Sequence, residues 1–144
     1  MRAVAALEAR AFGYDVPCDL RSWPVSCLLT TVVQHSMVGC LRWSSQFRDK
    51  DGLYLESLCV DSVLTRQGIG TDLMMRFHFI VDAQRRDVYL VLVTEWDPMA
   101  KTRRWYERMG YKATLIPAEN RRAIVMHRPC TSATSNFCHA IAEE

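Results

Sequence analysis

Gly68 and Gly70 bracket Ile69 where a short apolar run, Leu53 to Val60, gives way through a polar turn to a helical pattern. A strand, a glycine turn and a helix N-terminus in succession make an anion site. Glycine lets backbone approach a ligand closely. The first helical turn offers unpaired N–H groups, and the helix dipole favours negative charge there. The ligand expected at residues 66 to 71 carries phosphate. Just upstream, Glu56 interrupts the apolar strand. Counting back from Val60 by twos puts its side chain on the face of Leu58 and Val60. A carboxylate on such a face is costly unless it is used or paired. It would take a proton through water, bind a cation, or pair with an arginine. Farther on, Glu95 and Trp96 follow another apolar run. An acid beside an aromatic ring suits an amine cation, and the same pair also reads as a loop carboxylate and a packing tryptophan. Tyr54 is a further candidate wall residue.

The chain of 144 residues is long enough for one domain with a core, and its net charge of +2 points neither toward nor away from nucleic acid. Basic pairs at Arg85-Arg86, Arg103-Arg104 and Arg121-Arg122 read as solvated helix ends and turns. No run approaches the ~18 apolar residues of a membrane span, and the N-terminus is too charged for a signal peptide. The six cysteines have no paired spacing, and no Cys/His metal pattern occurs. Cys27, Cys40 and Cys59 sit in apolar strand patterns, as buried thiols do. A reducing, cytoplasmic setting without disulfides or metal is the expectation, with no nucleic-acid or membrane partner.

These residues need elements to hold them. Apolar spacing predicts a helix over residues 1–12 and a helix or turn over 18–23. β-Branched residues predict strands at 27–35, 38–43 and 53–60, with Ser36-Met37 turning the first pair. Ile69, Leu73, Met74, Phe77, Ile80 and Val81 share one helical face over 69–83. Residues 88–93 read as a strand covered on both faces. A helix from Pro98 to Met109 closes at Gly110. Strands at 111–116 and 123–127 follow, and Cys130 onward reads as a polar tail. The domain expectation is one unit over 1–129 plus a tail over 130–144.

This order, with Arg66-Gln67-Gly68-Ile69-Gly70 after the third strand and Arg103-Arg104-Trp105-Tyr106-Glu107-Arg108-Met109-Gly110-Tyr111 on the later helix, resembles the GNAT superfamily of N-acetyltransferases. Tyr54-Leu55-Glu56 with Val93-Thr94-Glu95-Trp96 is similar to the diamine and polyamine members, and residues 60–86 to the arylalkylamine members. The resemblance implies an α/β (α+β) fold: a mixed, mostly antiparallel twisted sheet of about six strands, flanked by helices and splayed at the cofactor notch. It implies acetyl-CoA as acetyl donor. Arg66, Gln67, Gly68, Ile69, Gly70 and Thr71 would cradle the pyrophosphate, and Arg104 would face the cofactor. A backbone N–H at Leu58, Cys59 or Val60 would polarise the thioester carbonyl. Tyr106 stands where the family has its general acid, and a phenol can protonate a departing thiolate. Glu56 is the base candidate; Tyr54, Glu95 and Trp96 would line the acceptor site. Thr65 stands where the family has Arg or Gln, Met99 near its usual Asn, and the family's first strand is not evident. The resemblance also allows a homodimer.

The function so implied is direct acetyl transfer to a primary amine, a small amine or diamine. The alternatives are a protein or peptide amine, and a non-catalytic acyl-CoA-binding regulatory module. A dinucleotide fold is disfavoured because Leu73 stands at the third glycine of G-x-G-x-x-G.

Overall fold

A computed structural model of the chain describes residues 2–12, 27–64, 67–93, 97–120 and 122–131. The reading of 18–23 as a helix or turn falls outside them. In chain order the elements are α1 (Arg2–Phe12), β1 (Cys27–Val33), β2 (Ser36–Ser44), β3 (Gly52–Val60), a 3-10 turn (Ser62–Leu64), α2 (Ile69–Ala83), β4 (Asp87–Val93), α3 (Asp97–Arg108), β5 (Lys112–Ala113) and β6 (Ala123–Arg128). Six strands form one sheet in the order β1-β2-β3-β4-β6-β5. β1/β2, β4/β6 and β5/β6 are antiparallel. The parallel register of β3 with β4 runs from Gly52↔Asp87 to Leu55↔Leu90, although both strands continue. This is the expected mixed, mostly antiparallel sheet with helices.

The chain divides into two compact units: residues 1–44 with 56–79, and residues 45–55 with 80–144. In the first unit, β2 has helices on both faces. A Cβ on Gly39 would come 2.7 Å from Ile69 Cγ2 and 3.0 Å from Leu73 Cδ1, so only glycine lets α2 lie this close. Trp43 meets Phe77 from the same face at 5.1 Å. Cys40 alternates to the opposite face, where α1 brings Val4 and Leu7 against Cys40 and Cys59. Arg42 shares that face and reaches Glu8 of α1.

The β1–β2 turn falls at Gln34-His35, both at positive φ (49° and 65°), between the paired Val33 and Ser36. These are the φ signs of a type I′ hairpin turn. The expected turn at Ser36-Met37 is therefore wrong: those residues open β2. Cys27 is exposed, against expectation, because it starts an edge strand.

In the second unit, Val88, Leu90 and Leu92 are buried, whereas Tyr89 and Val91 are half-buried and Val93 is 38% exposed. The expectation that this run is covered on both faces fails: one face is covered and the other is partly open. The strand expected over 111–116 shrinks to Lys112–Ala113. The Thr114 hydroxyl donates to the Val125 carbonyl and accepts from Ile116 N–H, turning the chain off the sheet edge. Arg128, 9% exposed, makes a two-pronged pair with Asp82, Nη1–Oδ1 2.8 Å and Nη2–Oδ2 3.0 Å, which pins β6 to the end of α2. Burial alone would raise the Asp82 carboxyl. The hydrogen bonds from Arg128 and Thr131, with the Arg128 charge, outweigh it and hold the group below its ordinary value.

Candidate active site

The glycine turn is built within the first unit. Gly68 has φ +78°, and a Cβ placed on it would have no neighbour within 4 Å, so it is chosen for backbone conformation rather than for space. Its carbonyl accepts the Asp72 N–H at 2.9 Å, the first bond of α2, which makes Gly68 the N-cap. The N–H groups of Gly68, Ile69, Gly70 and Thr71 are therefore the ones a helix start leaves for a ligand. Gln67, Gly68 and Thr71 are exposed, and Ile69 and Gly70 half-buried. Arg66, the first residue of the expected cradle, lies outside the described residues.

Glu56 is nearly buried, with 14% of its side chain exposed, and its Oε2 accepts from Arg42 Nη1 at 2.6 Å. Arg42 also donates through Nε to Glu8 Oε1 at 3.0 Å. Arg42 lies on the α1 face of β2, so Glu56 faces α1. Cys59 also meets the α1 face, through Cys40 and Val4. Residues 56 and 59 cannot share a face under strict alternation. One extra residue therefore lies between them, a β-bulge, and the run of three half-buried residues Glu56, Ser57 and Leu58 marks it. This corrects the counting from Val60: Glu56 does not share a face with Leu58 and Val60. Ser57 Oγ, within the bulge, is buried with no hydrogen-bond partner among the described residues.

Cys59 is 4% exposed and Cys40 fully buried. Their shared hydrogen bond, with burial, pushes the Cys59 thiol well up. A buried thiol held protonated is no nucleophile.

In the second unit, Tyr106 is placed by the end of α3. Tyr111 N–H donates to the Tyr106 carbonyl at 3.2 Å and Gly110 N–H to the Glu107 carbonyl at 3.1 Å, with Gly110 at φ +97°. This glycine-closed helix end folds Tyr111 back onto Tyr106, edge to face, with centroids 5.5 Å apart. Trp105 meets Tyr106 at 5.0 Å. Tyr106 is 9% exposed, and burial pushes its phenol up to about 12. Arg104 is exposed on the same helix.

Tyr54 lines a cavity of about 440 Å³ in the second unit. Its floor is the open face of β4 at Val91 and Val93, with Ala123 of β6 opposite Val93. Phe47, 4% exposed, forms a wall, wedged between Tyr54 at 5.1 Å and Tyr89 at 5.2 Å. Arg48 and Glu119 contribute opposite charges to the lining. Of these residues only Tyr54 is expected from the sequence. Arg48 and Glu119 sit on loops whose approach is tertiary, and the sequence around them shows no more than turn residues. Glu95 and Trp96 lie outside the described residues.

Among the described residues no group of three or more His, Cys, Asp or Glu side chains is arranged to hold a metal, and no helix is long and apolar enough to cross a membrane.

A family model for an acetyltransferase (GNAT) domain matches residues 26–113. No curated protein matches the chain. Among solved structures, the ribosomal-protein-S18-alanine N-acetyltransferase from Escherichia coli is similar with a TM-score of 0.71 at 19% identity, covering 91% of this chain and 88% of that one. An aminoglycoside 6′-N-acetyltransferase complexed with coenzyme A gives a TM-score of 0.65 at 19% identity over 90% of this chain and 89% of that one. Ard1 from Thermoplasma volcanium gives 0.61 at 26% identity over 77% and 74%.

Proposed function

Because the chain belongs to the GNAT acetyltransferase family and is an acetyl-CoA-dependent N-acetyltransferase, we propose that its acceptor is the primary amine of a small molecule. The observation carrying this reading is the cavity of about 440 Å³ at Tyr54, a size suited to small-molecule sites of roughly 300–1,000 Å³. The reading takes residues 1–129 as a single acetyltransferase domain.

The roles follow from the chemistry of acyl transfer. N–H groups from Gly68 to Thr71 receive the pyrophosphate, with Arg66, Gln67 and Arg104 beside the cofactor. The pantetheine arm runs along β3 at Leu58, Cys59 and Val60, and a backbone N–H there polarises the thioester carbonyl. The amine attacks that carbonyl; nitrogen loses a proton, the C–S bond breaks, and Tyr106 supplies a proton to the departing sulfur. Glu56 receives the amine proton through water or anchors the ammonium. Its ion pair with Arg42 supports the anchoring role better, since protonating Glu56 would weaken the bond to a largely buried guanidinium. Tyr54, Glu95 and Trp96 contact the acceptor.

A peptide or protein amine is the second reading. It is favoured by the likeness to the Escherichia coli enzyme, whose own acceptor is a ribosomal-protein alanine. Thiol release from acetyl-CoA, measured with a panel of small amines, diamines and N-terminal peptides, tests the choice. Turnover confined to peptides would overturn the small-amine reading. Acetyl-CoA binding without turnover on any acceptor would favour a non-catalytic module.

A further inference from the structure

We infer that the cavity at Tyr54 takes an amine that also carries a carboxylate, and that Arg48 recognises the carboxylate. The inference rests on the amine-acetylation reading above and narrows its acceptor.

Arg48 stands where the backbone favours glycine. Phe47 and Lys50 bridge the connection between β2 and β3, with Lys50 N–H donating to the Phe47 carbonyl at 2.9 Å, so Arg48 and Asp49 are the two turn residues. Arg48 alone of the pair has positive φ, at 53°. That sign pattern belongs to a type II′ turn, whose first central position prefers glycine. A long side chain there is strained, and strain of this kind gathers at ligand-binding sites.

The side chain is held with its charge uncancelled. Its Nη1 donates to the Pro117 carbonyl at 2.6 Å, and its guanidinium carbon lies 4.8 Å from the centre of the Phe47 ring. Phe47 is 4% exposed and fixed between Tyr54 and Tyr89. Both anchors are neutral. Among the described residues no carboxylate is in ion-pair range of Arg48, Glu119 of the same lining included. A guanidinium offers five N–H donors in a planar fork. One bond to Pro117 leaves donors for an anion, and a carboxylate fits the fork with two bonds.

The charges argue for both groups on one ligand. Arg48 and Glu119 bring opposite charges to one cavity without pairing to each other. An amine cation that met Glu119 would also be repelled by Arg48. A carboxylate on the same molecule turns that repulsion into attraction. The ammonium has Glu119 in the lining, joined by Glu95 in the reading above; neither can hold the anion, which falls to Arg48. A phosphate monoester, at about −1.5 to −2 charge, carries more than one guanidinium cancels, so carboxylate is the better match.

The test uses the full chain with acetyl-CoA. Thiol release is measured with leucine, leucinamide, isopentylamine and phosphoethanolamine. The first three share one branched side chain, suited to the apolar Val91 and Val93 of the lining. Binding of each in the presence of coenzyme A is followed by saturation-transfer NMR, a readout that needs no turnover. Leucine is expected to exceed leucinamide and isopentylamine in kcat/KM by at least roughly tenfold, and to give the strongest transfer signal. Arg48→Gln should shrink the leucine-to-leucinamide ratio by roughly tenfold or more, chiefly through KM for leucine. Comparing that ratio between the two proteins cancels the different basicity of the two amines. Arg48→Gly, which also relieves the turn, should shrink it equally, so a folding defect in the first variant leaves the second to decide. Arg48→Lys, which keeps the charge and loses the fork, should restore part of the ratio. A ratio unmoved by both Arg48→Gln and Arg48→Gly overturns the inference. So does an equal loss for every amine, which would assign Arg48 to holding the Phe47 wall, and so does a stronger transfer signal for leucinamide or phosphoethanolamine than for leucine. Failure to turn over any amine would instead strike the acetyl-transfer reading, and the NMR comparison would still decide the carboxylate.

Discussion

Replacing Tyr106 by phenylalanine removes one hydroxyl and nothing else that the structure uses. The ring stays wedged between Trp105 at 5.0 Å and Tyr111 at 5.5 Å, and its backbone carbonyl still accepts the bond that closes α3. Folding should therefore be unaffected, and any kinetic change reports chemistry. Its size follows from the acidity. Burial lifts the phenol to about 12, whereas an ordinary thiol titrates near ~8.5. Full proton transfer to a finished thiolate is thus uphill by about 3.5 units, or about 5 kcal/mol. Tyr106 then helps chiefly as a hydrogen-bond donor to sulfur while the C–S bond is breaking, before a whole charge has formed. That places Tyr106→Phe at the low end of general-acid effects, about a 10²-fold loss in kcat, with KM for the amine little changed. The sign of the pH effect is also set. The active form is the protonated phenol, so it is lost only as pH rises through about 12. Steady-state thiol release between about pH 7 and pH 10, a range below that value, should show no falling limb due to this residue. Near-normal turnover of Tyr106→Phe would refute the role. A falling limb within that range that vanishes in the variant would refute the burial on which the magnitude depends.

Four further outcomes are expected. Gly68→Ala meets no steric obstacle, so its effect is the cost of a side chain at φ +78°, about 1–2 kcal/mol, read as a melting temperature lowered by a few degrees or, where the turn relaxes to escape the strain, as a rise of up to roughly tenfold in KM for acetyl-CoA. Asp82→Ala strands Arg128, which is 9% exposed, and should cost about 3 kcal/mol in chemical denaturation. Because the Asp82 carboxyl titrates below its ordinary value when folded, its contribution is complete above about pH 4 and fades as pH falls through the lowered folded value; the variant should lose that part of the acid sensitivity. Ser57→Ala removes a buried hydroxyl without a partner among the described residues and should be neutral or stabilising by up to about 1 kcal/mol, a thermal melt showing clear destabilisation being the contrary result. Glu56→Gln should lower kcat/KM for a cationic amine, and an unchanged kcat/KM across pH would exclude Glu56 from the reaction.

Local signals were legible where one element's own residues decide it. The helix Ile69–Ala83 has the expected bounds because its apolar spacing, its glycine N-cap and its C-terminal turn all lie within the segment. The glycine closure of α3 was readable for the same reason. What required neighbours was not. Gln34 and His35 are ordinary residues at positive φ, and nothing in their types announces a turn. The open face of β4 depends on which elements cover it, so a run of apolar residues could not reveal it. The placement of Glu56 depended on an extra residue in β3, and counting by twos assumes that none exists. Arg48 and Glu119 reach the cavity from loops far apart in sequence, a juxtaposition set by the sheet rather than by either loop.

The bulge in β3 makes strand length a variable with chemical content. A one-residue deletion within a strand ordinarily reverses the facing of everything on one side of it. At Ser57 the outcome would differ. Without that residue, Glu56 and Cys59 would stand two positions apart, and plain alternation would put both on the α1 face. Glu56 could keep Arg42 and Cys59 could keep Cys40, in a strand that pairs more regularly. What the shortened strand would lose is the unpaired backbone and added twist that a bulge brings. Deletion at this point therefore separates two things that substitution cannot: the placement of the carboxylate, and the freedom of the main chain beside it to bond something other than a neighbouring strand.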